Sequence, residues 1–401
     1  MAKVCPTPQP LRTVLGTVVL ITVVFLLMFL ARLIFSPLMP AIQEDPAMGV
    51  GAGQAGALFL LTAIGMLAGS FLAPLLYSSL NHRRSLLISL LVMAVTLVGA
   101  YFANSLWGLR VVFFVLGACF GVHQPSSIAT LTATVRREDW GRAMSIQQLA
   151  PPLALVTGPL IAVALLTWFT WDEALLWVAG ILVVAAVAFH FATPGVGSFP
   201  GDRPSPSAIR PVVTTPSFWV MIFLFALGMG AQVGVYTMLP LYLSQERGMT
   251  VASANTLLGL ANIAPLMTVF AAGWVTSRLG EKRTMGMALV LTGVATILVG
   301  ALEGVGLKIC IVLMAALAVC FFPPAFAALS RIVQPNYRSL AAAFGPPVGF
   351  LLGVGLLPLG LGYMREAWSF SLGIIITGAV IVVGAAAVLL LRLLTELEEG
   401  C

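Results

Sequence analysis

The chain has 401 residues, of which 60% are hydrophobic and only 8% charged, against about 25% charged in an average soluble domain. A water-soluble fold cannot bury that much apolar surface, so soluble enzymes and soluble binding modules are excluded. The formal charge of +6 is not a nucleic-acid signature, because the basic residues lie in connections between apolar stretches and form no patch with interleaved aromatics.

Apolar stretches of about 20 residues or more recur along the whole length, and each can cross the roughly 30 Å of a bilayer's hydrocarbon core. Backbone amides inside lipid must pair internally, which makes these stretches helices; the alternation of a membrane barrel is absent. In chain order, twelve spans are expected at 14–40, 52–77, 84–104, 107–134, 142–169, 174–193, 217–243, 252–277, 284–303, 307–332, 339–364 and 369–394. Lys3 and Arg12 precede the first apolar run, which extends to about Ile42. That run is too long for a signal-peptide core and is read as a retained first span. The longest connection, 194–216, is rich in Pro, Gly and Ser and reads as a flexible cytoplasmic linker between a bundle over 1–193 and a second over 217–401.

Basic residues set the orientation. Lys3, Arg12, Arg83, Arg84, Arg136, Arg137, Arg142, Arg203, Arg210, Arg278, Lys282, Arg283, Arg331, Arg338 and Arg392 fall on one side, and Arg110, Arg247, Lys308 and Arg365 on the other. The positive-inside rule then places both termini and the linker in the cytoplasm, in a multi-pass protein of the inner (cytoplasmic) cell membrane. Cys5, Cys119, Cys310, Cys320 and Cys401 lie far apart or inside spans, with neither metal spacing nor a disulfide framework. No cofactor and no metal are expected, and a monomer is.

A shift of about 200 residues brings corresponding features together. Ser36-Pro37-Leu38-Met39-Pro40 falls on Tyr236-Thr237-Met238-Leu239-Pro240, and the loop from Ser78 to Ser85 on that from Ser277 to Thr284. Pro125 falls on Pro324, and Pro151-Pro152 on Pro346-Pro347. Two parallel six-helix halves are a transporter architecture. On these features, and on the basic loop after spans 2 and 8, the chain resembles the major facilitator superfamily over essentially its full length. In that family the loop reads Gly, three residues, Asp, Arg or Lys, any residue, Gly, then a short basic run. Here the second copy is Gly273-Trp274-Val275-Thr276-Ser277-Arg278-Leu279-Gly280-Glu281-Lys282-Arg283, and the first is a decayed Ser78-Ser79-Leu80-Asn81-His82-Arg83-Arg84. The resemblance implies an all-α fold of two pseudo-symmetric six-helix bundles, with gating loops at Arg83, Arg84, Arg278, Lys282 and Arg283. Ser78 and Ser277 replace the family aspartate, which removes a charge-assisted bond; Glu138, Asp139 or Glu281 are the groups at hand to replace that latch.

The 14 carboxylates all fall in or beside expected loops, which argues against a cation antiporter with a membrane-embedded carboxylate. Arg32 stands out, about 7 Å beyond the midpoint of span 1 by helical rise. A charge there must face a cavity or a partner, and the planar guanidinium fork suits an anionic group. The repeat sets Arg32 opposite Gln232. Arg32 with Ser36, and Gln232 with Tyr236, are four apart and share helix faces. The resemblance implies that the first helices of each half line a cavity, where two such polar stripes would make a central substrate site. His123 and Gln124 in span 4, Gln147 in span 5 and Asn262 in span 8 are further lining candidates. For each, bonding between helices is the structural alternative. Arg110 reads as an interfacial anchor.

The expectation is a non-enzymatic secondary transporter of a small solute. A small organic anion bound through Arg32 fits best, with alternating access driven by proton symport or anion exchange. No phosphate-binding Gly-rich loop points to ATP. The alternatives are an exporter of drugs or other amphipathic compounds, and a transporter-like ligand sensor that moves nothing. Beyond the lipid bilayer and the solute, with or without a co-transported proton, no partner is expected.

Overall fold

The computed structural model describes residues 8–200, 211–333 and 338–392. Lys3, Cys5, Asp202, Arg203, Arg210, Glu396, Glu398, Glu399 and Cys401 lie outside them. Among the described residues, twelve helices are long and apolar enough to cross a membrane. They are α1 (Leu11–Glu44), α2 (Ala52–Leu80), α3 (His82–Tyr101), α4 (Leu106–Thr134), α5 (Arg137–Leu166) and α6 (Trp171–Ala192). There follow α7 (Pro216–Gln245), α8 (Val251–Val269), α9 (Glu281–Ala301), α10 (Gly304–Leu329), α11 (Phe344–Ala367) and α12 (Phe370–Leu390). These match the expected spans to within a few residues, apart from α8, whose helical course continues to Leu279, and α11, which begins within a helix running from Arg338.

The chain separates into two compact units, one of residues 1–50 and 61–204, the other of 51–60 and 205–401. The start of α2 thus groups with the second unit. There the Gly53 amide donates to a Glu366 carboxylate oxygen at 2.8 Å. Gly56 and Gly362 let backbones meet where a Cβ would fall 2.3 and 2.2 Å from carbonyl oxygens, the close approach that small residues permit between membrane helices.

Within the first unit α1 packs on α4, α5 and α6, and α3 on α4 and α6; within the second, α9 packs on α10 and α12, and α7 on α11. The outer surface carries large apolar side chains, among them Phe71, Leu75, Val95, Val184 and Val383, as a lipid-facing surface requires. Of the tryptophans, Trp107, Trp168, Trp177, Trp219, Trp274 and Trp368 are each more than half exposed, while Trp171 is buried. Exposed Trp near helix ends is the signature of the headgroup belt.

The first helices of the two halves, α1 and α7, are interrupted in matched places. In α1 the helix Leu11–Leu33 ends one residue before Ile34, and a second begins at Phe35. Pro37 has no N–H, so the Leu33 carbonyl loses its ordinary partner. In α7 the same register holds a π-helical turn, Gly230–Gly234, with Gln232 at its centre. A second π-turn, Leu351–Leu356, interrupts α11. The two π-turns cross through glycine, since a Cβ on Gly234 would stand 2.3 Å from the Gly353 carbonyl oxygen. π-Bulges concentrate at functional positions.

The pseudo-repeat is visible in backbone angles. The turn before α3 is made by Asn81 at φ 70 and ψ 164, and the turn before α9 by Gly280 at φ 79 and ψ 165. Asn81 is the sole non-glycine with positive φ among the described residues. Asn tolerates that left-handed region better than most residues, and its side chain accepts from the Arg84 amide at 3.0 Å to cap α3.

Candidate functional site

Arg32 is 5% exposed and sits in the last turn of the first helical piece of α1. The terminal carbonyls there favour a cation. Its guanidinium carbon lies 4.7 Å from the ring centroid of Phe29 and 4.5 Å from that of Phe120. Phe29 comes from the same helix, three residues earlier, and Phe120 from α4. The two rings meet edge to face, 5.4 Å apart at 78°, so they corner the planar guanidinium from one side rather than sandwich it. The N–H donors project at the edge of that plane, the geometry in which carboxylates and phosphates are bound.

The aromatic stack reaches His123. Phe25 lies 5.9 Å from Phe120 and 6.4 Å from His123, the last pair nearly parallel at 5°. His123 is fully buried, and its Nδ1 is 3.1 Å from Ser89 Oγ on α3. Gln147 on α5 is also fully buried and donates from Nε2 to Ser127 Oγ on α4 at 2.6 Å. Ser36 is buried one turn beyond Arg32, and Gln124 is half-buried. The first unit therefore gathers Arg32, Phe29, Phe120, Phe25 and His123 into one cluster, with Gln147 attached to the same helix α4 through Ser127.

The candidates of the second unit are more dispersed. Gln232 is half-buried on the π-turn of α7, and Tyr236 is 4% exposed four residues on. Asn262 lies at the break of α8 ahead of Pro265, where its side-chain amide donates to the Leu258 carbonyl at 2.8 Å. That bond gives Asn262 a helix-stabilising role at the kink. Arg110, half-buried, stacks on Trp107 with its guanidinium carbon 4.5 Å from the ring, as an interfacial anchor does.

The basic loops cap helices of their own units. Arg83 donates to the carbonyls of Thr193 and, at 2.6 Å, His190, at the end of α6. Lys282, its repeat counterpart, donates to the Leu391 carbonyl, just past α12. Cations at helix C-termini are favourable. The head of the linker is held by the same loop: the Arg83 amide donates to the Gly197 carbonyl at 2.7 Å and the His82 amide to that of Phe199 at 3.2 Å. Glu281 pairs with Arg331 at 2.8 Å, Asp139 accepts from the Leu11 amide at 3.0 Å, and Arg278 stacks on Trp274 at 4.2 Å. Arg84 and Arg283 enter no salt bridge among the described residues.

At the opposite helix ends the second unit carries a charged network. Glu246 accepts from the Phe370 amide at 2.7 Å and the Ser371 amide at 3.1 Å, at the N-terminus of α12. Arg247 donates to Tyr242 Oη at 2.8 Å, to the Gly300 carbonyl at 2.9 Å and to Glu303. Burial pulls the Arg247 guanidinium down, but the Tyr242 bond and the charges of Tyr242, Glu303 and Glu246 outweigh this and hold it above its ordinary value. The first unit has one counterpart, Trp171 Nε1 donating to Asp45 at 3.1 Å. Among the described residues, no group of three or more His, Cys, Asp or Glu is arranged to hold a metal.

The family model of the Major Facilitator Superfamily matches residues 21–268 and again 237–400. The chain belongs to the major facilitator superfamily. It is accordingly a secondary transporter of the multi-pass membrane class and not an enzyme. A D-galactonate transporter of Escherichia coli O6:H1 (strain CFT073) is 25% identical over 261 residues, covering 59% of this chain and 58% of that protein. The match thus spans less than two thirds of the relative's length. A bacterial homologue of the human lysosomal transporter Spinster, in an inward-facing and unoccupied conformation, superposes with a TM-score of 0.81 at 15% identity, covering 95% of this chain and 97% of that one. A nucleoside transporter structure gives 0.77 at 13% identity, with 93% and 99% covered. At these identities the two structures bear on the fold alone, and they give this superfamily member the fold that its repeat implies.

Sequence reasoning missed the aromatic pair against Arg32, the serines that hold His123 and Gln147, and the two π-turns. The spacing of Phe29 and Arg32 was a usable signal, as was Gly230-x-x-x-Gly234 over Gln232.

Proposed function

We propose that this transporter moves a small organic anion, with Arg32 as the group that binds the negative charge. The observation that carries the reading is a buried guanidinium in the first span, packed against the edge-to-face pair Phe29 and Phe120. A cation in that position is costly unless function retains it. The D-galactonate transporter to which the chain is similar also carries an organic anion, which supports the same class. The described carboxylates sit at helix ends or in connections, so energy comes from proton symport without a buried carboxylate, or from exchange of one anion for another. Transport on this reading proceeds by alternating access, with Ser36, His123, Gln124, Gln147, Gln232, Tyr236 and Asn262 as the further substrate-binding candidates. Both termini and the linker are cytoplasmic, on the strength of the basic-residue asymmetry.

The test is a ligand-stabilisation screen on purified protein, with Arg32→Gln beside the wild type. The panel spans carboxylates, phosphate esters, neutral sugars and hydrophobic cations. Anions are expected to raise the melting temperature of the wild type alone. Stabilisation of both proteins by cations or neutral compounds, and by no anion, overturns the reading and favours an exporter of amphipathic compounds.

A further inference from the structure

The anion class can be narrowed from the hydrogen-bond chemistry of His123. Ser89 Oγ donates its single proton to the Leu86 carbonyl at 2.9 Å and lies 3.1 Å from His123 Nδ1. With that one hydroxyl proton spent on Leu86, the tautomer assigned to His123 carries its proton on Nδ1 and leaves Nε2 an acceptor. Nδ1 is turned toward α3, and Nε2 lies on the other flank of the ring. Nε2 is buried and has no hydrogen-bond partner among the described residues. Gln147 repeats the pattern: its Nε2 is spent on Ser127, and its Oε1, equally buried, has no partner among the described residues. Ser127 is one turn beyond His123 on α4, about 6 Å along the axis. Two buried acceptors on one side of an arginine call for donors, because an acceptor taken from water without replacement is destabilising.

Resting on the anion reading above, we infer that the substrate is a hydroxy acid, with its carboxylate on Arg32 and a hydroxyl donated to His123 Nε2. An ammonium donor is disfavoured, since it would enter beside the Arg32 charge, whereas a hydroxyl supplies the proton at no charge. Arg32 lies 4.5 Å from the Phe120 ring, and Phe120 and His123 are neighbours three residues apart on one helix face, about 5–6 Å between Cβ atoms. Arg32, Phe120, Phe25 and His123 thus form one unbroken series of contacts, 4.5, 5.9 and 6.4 Å in turn. Gln147 Oε1 is placed to accept from a second hydroxyl in a longer, polyhydroxylated acid.

The experiment is equilibrium binding to the purified full-length protein. The probes are butyrate against 3-hydroxybutyrate and 4-hydroxybutyrate, and hexanoate against a six-carbon aldonate. The wild type is expected to prefer the hydroxylated partner at least tenfold in one of these pairs. His123→Phe keeps the ring stacked on Phe25 and removes the acceptor, and the ratio is expected to fall below threefold. His123→Gln, which returns an amide oxygen near the Nε2 position, is expected to restore part of it. A wild-type ratio near one, a ratio that survives in His123→Phe, or parallel loss of both acids in both variants overturns the inference. The last pattern is what a purely structural histidine gives. Carboxylates bound with no hydroxyl preference end this inference alone, whereas a wild type that binds no carboxylate ends the anion reading and this inference together.

Discussion

The two units share a backbone plan and differ in where they keep their polar groups. At position 32 the first unit buries an arginine under two phenyl rings, and at the repeat position the second has Gln232 on a π-turn. The first unit sinks His123 and Gln147 completely into its interior. The second places its strongest polar network at the helix ends, around Arg247, Glu246 and Glu303. Its interior contrast is conformational, with π-turns in α7 and α11 meeting through glycine. One duplicated scaffold has thus put a buried arginine in one copy and a pair of π-turns in the other. A charge deep in a membrane helix is costly, and carrying it once is cheaper than twice.

The contrast is broken most severely by Arg32→Gln, which makes the first unit resemble the second at that position. Substrate affinity is expected to fall at least about thirtyfold, in line with the 2–5 kcal/mol typical of removing a buried, hydrogen-bonded charge from a binding site. Binding of the anion identified in the stabilisation screen reads this directly, and a loss under threefold would sink the charge-binding role. Next comes Gly353→Val. A Cβ at Gly353 would lie 2.3 Å from the Ala226 carbonyl oxygen, so α7 and α11 must separate, at about 3 kcal/mol, the upper range for overpacking. Its control is Gly273→Ala, where nothing lies within 4 Å; the control should melt within a degree or two of the wild type, and equal loss in both would refute a π-turn contact dependent on glycine.

Smaller effects separate the two sets of helix ends. Arg247→Met strips donors from Tyr242, the Gly300 carbonyl and Glu303 and should destabilise by about 2 kcal/mol, since groups left buried lose their partners. Asp45→Asn in the first unit disturbs the acceptor of Trp171 and should cost less than about 1 kcal/mol, within the range of a single net hydrogen bond. Thermal melting of both variants checks the ordering. A larger loss for the Asp45 variant would reverse the assignment of the stronger end network to the second unit.

The fold was legible in the sequence because lipid permits so few solutions. Runs of about 20 apolar residues must be helices, and the repeat reported the duplication before any coordinate did. Even the turn at Asn81, whose partner is Gly280, adopts angles within about ten degrees of its repeat mate. The identity of Arg32 as the exceptional residue was legible too, since a charge in an apolar run is conspicuous. Its surroundings were not. Phe29 and Phe120 look like ordinary apolar residues of spans 1 and 4, and only the rotation of α4 against α1 turns them onto a guanidinium. Ser89 and Ser127 read as small fillers for the same reason. The linker read as flexible from composition, yet Gly197 and Phe199 are bonded to the start of α3, because backbone carbonyls can dock wherever unpaired amides begin a helix.

The distribution of tryptophan has an optical consequence. Six of these fluorophores face outward with more than half their surface exposed, while Arg32 lies against Phe29 and Phe120. Intrinsic emission from this transporter will therefore report the solvent or detergent around it, and a titration with substrate will pass with little change in quantum yield. Replacing Phe29 by tryptophan would put a chromophore against the guanidinium, where anion binding would alter quenching at the site itself.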